Sequence, residues 1–237
     1  MTSASPARSL SDRTYLQLRE DIVAGKLQAG AKLKLEGLMQ DYGVGMSPLR
    51  EALARLIGDR MVTTEAQRGF WVAPMSLAEL DDLTRVRSLL ETEAISSAIV
   101  KGDAAWMQSV TDTFSQLADI EAQLPASAEA LTPQLLEAWE SSNRAFHASL
   151  VAAADSPIII RFRQQLYQQS ERYRRVSLTA SRGWRSVTEE HLAIYEAVRD
   201  RNVLRACKMT EIHLTRTADE VRKAFAAANP ERFLAAT

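Results

Sequence analysis

Only one cysteine, Cys207, occurs in 237 residues, so no intrachain disulfide can form and a reducing compartment is expected. Taken alone, Cys207 reads most simply as a small buried apolar side chain. No apolar run approaches the roughly 18–20 residues needed to cross a bilayer. The opening residues, MTSASPARSL, lack the apolar middle of a secretory signal, so the expected location is cytoplasmic with no membrane partner. An excess of one charge sign is also missing, since the formal net charge is −1. Ten basic and eight acidic residues lie up to residue 75, and nineteen and twenty-two lie after it. Nucleic-acid binding would therefore have to come from locally placed cations, with little help from the bulk field. A nucleophile motif, an HExxH pair and a phosphate-binding glycine loop are all absent, which argues against an enzyme.

The composition that is present, 46% hydrophobic and 25% charged, is that of an ordinary globular protein of one large or two small domains. Residues 1–10, rich in Ser, Ala and Pro, read as a tail. An amphipathic helix is expected from Ser11 as cap, with Tyr15, Leu16, Leu18, Ile22 and Val23 on its apolar side and Gly25 at its end. QAGAKL reads as a turn, and a short helix spans about Leu35–Tyr42. A further helix starts at Ser47-Pro48, with Ser capping and Pro at the first helical position. Leu49, Ala52, Leu53 and Leu56 share one face of it. MVTTE and FWVA, joined by AQRG, read as a hairpin with Arg68-Gly69 at its tip. Ser76 then restarts helix, which places a domain boundary near residue 75. From there to about Phe225 the pattern is helical throughout, over about 77–101, 103–124, 131–154, 156–178, 185–200 and 202–226. The breaks fall at Lys101-Gly102-Asp103, the PASAEALTP segment, Asp155-Ser156-Pro157, Ser181-Arg182-Gly183 and Arg201-Asn202. The fold class is therefore mainly α. A winged helix-turn-helix (11–75) precedes an all-α antiparallel bundle (76–228), and 229–237 form a second tail.

In a winged helix-turn-helix the second helix of the pair enters the major groove with its N-terminal residues at the base edges. Here Ser47 would bond phosphate and Arg50 would reach guanine or phosphate, with Arg55 further along. Arg68 and Gly69 would enter the minor groove. Taken singly, these arginines are ordinary solvated charges. The spaced elements G-x-L-x-x-G-x-x-L, G-V-x-x-x-P-L-R-E-A-L and the Arg-Gly wing change that weighting. Over residues 11–75 the chain resembles the DNA-binding domain of GntR-type regulators. The resemblance implies double-stranded operator DNA as partner and Lys34, Met46, Ser47, Arg50, Arg55, Arg68 and Gly69 as the contact set. One departure is Gly45-Met46-Ser47-Pro48 where many members have Ser-Arg-Thr-Pro, so Met46 replaces a contacting arginine and operator preference does not carry over.

All three histidines, His147, His191 and His213, fall in the second half, each within a different expected helix. Asn143 precedes His147 by four residues, on the same helical face. Three imidazoles and an oxygen donor suit a divalent transition metal, although three helical histidines alone are more often surface or core residues. Residues 77–226 resemble the all-helical ligand-binding (FCD-type) domain of the FadR subgroup. That resemblance implies a metal of the Zn, Ni or Mn type held by Asn143, His147, His191 and His213, with Asn143 standing where Asp is usual. An amide oxygen ligates without bringing charge, so weaker metal affinity or tuning to an anionic effector is expected. Arg87, in Arg-x-x-Leu-Glu with Leu90 and Glu91, is implied to hold an effector carboxylate. An ion pair with Glu91 is the alternative reading. Arg172 and Tyr173, followed by Arg174, would place a second cation opposite Arg87, although at least two of these three residues are expected to face solvent. Within the subgroup, the GVGxxPLREAL-like recognition segment and the Arg172-Tyr173-Arg174 element resemble those of CsiR-type repressors, which implies a glutarate-like dicarboxylate. Together these readings describe a homodimeric, carboxylate-responsive transcription regulator that binds a palindromic operator. A metal-responsive regulator and a metal-dependent enzyme are the alternatives.

Overall fold

Helix α1, Leu10–Val23, begins earlier than the amphipathic pattern implied. A computed structural model of the chain describes residues 9–65, 68–125, 130–180 and 187–227, and in it Ser9 rather than Ser11 is the cap. The Ser9 hydroxyl accepts from the Asp12 amide at 3.1 Å, and the Asp12 carboxylate accepts from the Ser9 amide at 3.2 Å. A reciprocal capping box needs a side-chain acceptor three residues on. Ser9 has Asp12 there, whereas Ser11 has Thr14.

The first 65 described residues form one core. After β1, Lys32–Leu33, come α2, Leu35–Tyr42, and α3, Met46–Gly58; β2, Val62–Glu65, and β3, Gly69–Val72, follow. Leu49, Ala52, Leu53 and Leu56 of α3 are fully buried, as is Leu18 of α1, so the apolar face of α3 packs on α1. Between α2 and α3 the chain reverses at Gly43, whose φ of 61° suits a residue without Cβ. Tyr42 reaches back to Asp21 at 2.5 Å, and Tyr15 bonds Asp59 at 2.7 Å. These bonds fix the turn-helix pair against α1.

The sheet is antiparallel in the order β1-β3-β2, with Lys32 opposite Trp71 and Thr63 opposite Trp71 from the other side. The segment expected to be only a turn, QAGAKL, thus supplies a third strand in Lys32–Leu33. Two residues are too few to show alternation in sequence, and pairing to β3 is what makes them a strand. Arg68 donates its amide to Glu65 O at 3.0 Å. Ala66 and Gln67, within the expected turn, lie outside the described residues.

Six helices follow: α4 (Leu77–Lys101), α5 (Ala104–Glu121), α6 (Pro133–Leu150), α7 (Pro157–Ala180), α8 (Thr188–Arg199) and α9 (Val203–Ala227). Ser76, Asp103 and Thr132 cap α4, α5 and α6 with their side chains. Among the described residues this half contains no strand. The expected break at Ser181-Arg182-Gly183 lies outside them. Helix α4 packs on α7 and α9, α5 on α6 and α8, and α8 on α9. The core runs through Ile95, Trp106, Val110, Leu117, Phe146 and Ile194. Helix α1 of the first half touches α7 of the second.

The α4–α5 turn is closed tightly. Arg201 donates to Ile99 O at 2.6 Å and Gly102 O at 2.9 Å, and lies over the Trp106 ring. A Cβ on Gly102 would run into that ring and lie 2.7 Å from Ala98 O. Gly102→Ala is therefore expected to destabilise the helical half by about 1–3 kcal/mol, the range for overpacking a filled site. Thermal unfolding checks this, and an unchanged midpoint would show that Trp106 can swing clear.

Candidate nucleic-acid interface and metal centre

Helix α3 starts at Met46, with Gly45 as N-cap and no side-chain cap bond. This corrects the expected cap at Ser47, which instead lies inside the first turn with Pro48 behind it. The N-cap must be extended, and Gly45, at φ −79° and ψ 171°, takes that conformation. The first amides of a helix have no intrahelical partner, and here no side chain covers them. Met46, Ser47 and Arg50 are exposed at this end, and Lys34 is exposed at the start of α2. Among the described residues Arg50 makes no ion pair.

Arg55 is placed differently. Its guanidinium bonds Asp12 at 2.6 Å and stacks on Tyr15 at 4.0 Å, bracing α3 against α1. The structure therefore separates Arg55, engaged within its own domain, from the exposed end that carries Ser47 and Arg50. Arg68 is exposed beside Gly69, which has φ 115°. On the same sheet Lys32 lies over Trp71 at 5.1 Å. This cation–aromatic pair was not singled out from sequence, because Lys32 lay in the assumed turn.

In the helical half, α6, α8 and α9 bring His147, His191 and His213 together. Their ligating nitrogens all lie within 4.8 Å of one another, and all three residues are buried. Burial, then His213 and His191, holds His147 well below the usual 6.5, so its imidazole is neutral and able to ligate. His191 Nδ1 pairs with Glu121 Oε1 at 2.8 Å, and His213 Nδ1 with Glu190 Oε2 at 2.9 Å. A carboxylate on Nδ1 places the proton there and turns Nε2 toward an ion, as second-shell partners of metal histidines do. His191 Nε2 is buried with no hydrogen-bond partner. A buried, oriented and unsatisfied nitrogen beside two further imidazoles fits a divalent transition metal. Asn143, 2% exposed, donates Nδ2 to the Tyr167 hydroxyl at 3.0 Å, which leaves Oδ1 as its remaining polar atom.

Glu121, Glu190 and Tyr167 were missed in the sequence. Glu190 precedes His191 yet serves His213, and Glu121 is seventy residues from His191. No spacing rule links them. Trp139 also donates to Glu121, at 3.3 Å.

Beside the triad lies a cluster of buried charge. Glu91 is held by Arg87 at 3.2 Å and by Arg163 at 2.7 Å, and Arg163 also donates to His147 O at 2.7 Å. The structure gives Arg87 the ion pair of the alternative reading. The pair with Glu91 lies in the interior, where Arg87 is 5% exposed and also donates to Ser170 Oγ at 2.8 Å. Burial lowers its pKa, with Glu91 opposing. Arg174 pairs with Glu140; burial works against its charge, but Glu140 and Tyr167 outweigh burial and its pKa is raised. Glu171 takes both Arg19 and Arg144. Burial alone would raise the Glu171 pKa, yet Arg174, Arg19 and Arg144 hold it below the usual carboxylate value. Five guanidiniums, four of them buried and that of Arg144 half-exposed, thus share three carboxylates, and three of them, on Arg87, Arg163 and Arg174, lie against the Tyr167 ring. A narrow cleft between Leu80, Arg87, Ser170, Tyr173, Leu214 and Val221 opens onto Arg87 and Arg174 of this cluster.

The expectation that at least two of Arg172, Tyr173 and Arg174 face solvent is corrected, since all three are buried. Arg174 turns to Glu140. Arg172 and Tyr173 turn to the segment joining the two halves: Arg172 donates to Ala73 O at 2.7 Å, and the Tyr173 hydroxyl accepts from Ser76 N at 3.1 Å and bonds Glu79. Tyr173 also lines the cleft. For Arg172, engagement of Ala73 replaces the expected position opposite Arg87.

Comparison with known proteins matches both halves. Residues 10–72 match the model for bacterial regulatory proteins of the gntR family, and residues 82–216 match the FCD domain. The chain is 38% identical over 216 residues to the HTH-type transcriptional regulator BphR of Paraburkholderia xenovorans, covering 91% of this chain and 86% of that protein. It is 31% identical to the HTH-type transcriptional repressor GlaR of Escherichia coli, covering 90% and 96%. The fold is shared with E. coli McbR/YncC, with a TM-score of 0.73 at 17% identity over 92% of this chain and all of that one. A GntR regulator from Rhodococcus sp. RHA1 gives a TM-score of 0.71 at 20% identity, over 91% and 99%. With an exposed helix start in one half, a buried histidine triad in the other and both family models matched, the chain belongs to the GntR family of bacterial regulators with an FCD domain, and is a DNA-binding transcriptional regulator rather than an enzyme.

Proposed function

We propose that the protein is a homodimeric, cytoplasmic repressor that binds a palindromic operator and is released by a small carboxylate held beside a divalent transition metal. The observation that carries this reading is the buried histidine triad adjoining a cluster with more guanidiniums than carboxylates. His147, His191 and His213, with Asn143 Oδ1, would hold the ion. An ion of the Zn, Ni or Mn type would supply a Lewis-acidic anchor for one carboxylate oxygen. Arg87 would take the remainder of the anion in a planar fork. An excess of buried positive charge favours an anion, and a short dicarboxylate of the glutarate type uses it best. Tyr173 lines, with Arg87, the narrow cleft by which an anion would approach. In this reading residues 11–75 read DNA and residues 76–228 sense.

On DNA, the exposed α3 terminus would seat a phosphate with its amides and Ser47, Arg50 would reach base edges, and Lys34, Arg68 and Gly69 would meet the flanking backbone and minor groove. Met46 would face the groove where a cation is common in relatives, making apolar contact only. The repressor reading draws on GlaR, and the dimer on exposed apolar side chains along α4 and α7, namely Leu89, Val100, Ile158 and Phe162. Two-fold symmetry would be mirrored in the half-sites.

The test uses zinc-loaded full-length protein and a duplex it selects from a random library. Titration with C3–C6 mono- and dicarboxylates is expected to weaken anisotropy-detected DNA binding with at least one acid, and that acid should raise the melting temperature. Arg50→Ala should cost about 1–3 kcal/mol of DNA affinity. If no acid changes either readout while zinc itself changes DNA affinity, the metal is the signal and the carboxylate reading fails.

A further inference from the structure

One turn of α7 faces both halves of the molecule. Ser170 accepts from Arg87 at 2.8 Å, and Arg174, four residues on, reaches Glu140 of α6. Between them Glu171, 1% exposed, binds Arg19 of α1 with one carboxylate oxygen and Arg144 of α6 with the other. Arg144 directly follows Asn143 and lies one turn before His147. Arg172 holds Ala73 O and Tyr173 holds Ser76 and Glu79, so the next two residues grip the interdomain segment. Of these five consecutive residues, Ser170 and Arg174 face the buried charge cluster, Glu171 joins that cluster to α1, and Arg172 and Tyr173 hold the junction of the two halves. Buried, filled interiors rearrange between discrete packings rather than deforming smoothly.

We propose that the Ser170–Arg174 turn is the coupling element of this regulator, with Glu171 its central positioning residue. The inference rests on Arg87 being the effector's anchor. An anion that takes Arg87 draws the guanidinium from Ser170 and Glu91. The freed turn of α7 then shifts against α6, and the shift reaches α1 through Glu171–Arg19 and the interdomain segment through Arg172 and Tyr173. DNA affinity responds because both ties hold the winged helix in place. No bond is made or broken in this step, which only redistributes hydrogen bonds and ion pairs.

A double-mutant cycle on DNA affinity tests this without a known effector. Arg87→Gln, Glu171→Gln and the double variant, each full-length and zinc-loaded, are titrated onto the selected duplex, with circular dichroism as the fold control. Arg87→Gln, which releases Ser170, is expected to change the DNA Kd about fivefold or more, within the usual range of allosteric coupling. In the Glu171→Gln background the same substitution should change it less than twofold. Additive effects, or no effect of Arg87→Gln on DNA, overturn the proposal. If Glu171→Gln does not fold, Arg19→Gln replaces it, since Glu171 then keeps Arg144, and the same criterion applies. A glutarate arm separates the two readings. A non-additive cycle with no response to glutarate or the other C3–C6 acids leaves the coupling standing and removes the carboxylate effector, whereas an additive cycle with a glutarate response does the reverse.

Discussion

Replacing His191 with alanine is expected to leave the protein without stoichiometric metal after dialysis, as read by elemental analysis of the purified chain. His191 is fully buried, and its Nε2 has no other partner. Its ring centroid lies 5.3 Å from that of His147 and 4.8 Å from that of His213. With one of three imidazoles gone, His147, His213 and a neutral amide would remain, and an amide contributes no charge to compensate. Alanine also leaves Glu121 buried with only the Trp139 indole, so a loss of fold must be separated from a loss of ligand. Glu121→Gln does this. It keeps the volume and the bond from the indole but removes the charge that orients His191. Its expected effect is a fall of about 10–100-fold in metal affinity, the usual weight of an outer-shell carboxylate. Full occupancy in dialysed His191→Ala would remove His191 from the ligand set.

The largest stability effect is expected from Glu140→Ala. Glu140 is 0% exposed and pairs with Arg174, whose guanidinium lies 5.7 Å from the Trp139 ring and 5.4 Å from that of Tyr167. Truncation would leave a cation in the interior with aromatic faces in place of its carboxylate. Breaking a buried pair from one side costs about 3–5 kcal/mol, most of it the burden of the remaining charge. Removing both charges should therefore restore stability: Glu140→Ala with Arg174→Met is expected to be more stable than Glu140→Ala alone. Denaturant titration monitored by helix content measures both variants. A loss below about 1 kcal/mol for the single variant would mean that the neighbouring Glu171 takes over Arg174.

These energetics also explain what was legible in the sequence. The order of elements was, because apolar periodicity and local punctuation act within a few residues. Gly43 marks the turn between α2 and α3, and Leu49, Ala52, Leu53 and Leu56 mark the face of α3 that is buried. Boundaries set by competition were less so. Ser9 and Ser11 are both cap residues, and only the carboxylate at Asp12 decides between them. At α3, Gly45 takes the extended cap conformation, and Ser47-Pro48, however suggestive, falls within the first turn. The histidines were visible by their scarcity. Their carboxylate partners were not, because Glu121 and Glu190 look like any of the thirty acidic residues until the helices are packed. The burial of Arg172, Tyr173 and Arg174 was hidden for the related reason that charged side chains are buried only when paired. Their partners, Ala73, Ser76 and Glu79 for the first two and Glu140 for the third, are distant in the chain.

The three imidazoles come from helices whose order along the chain is α6, α8 and α9. An ion bound there would tie three segments that an unfolded chain holds apart, closing two long loops at a single point. Loop closure of this kind lowers the entropy of whatever remains unfolded around it, and the free energy of such an ion counts toward folding. In a chain whose lone cysteine rules out an intrachain disulfide, the metal centre would then act as a reversible cross-link, set by the supply of the ion.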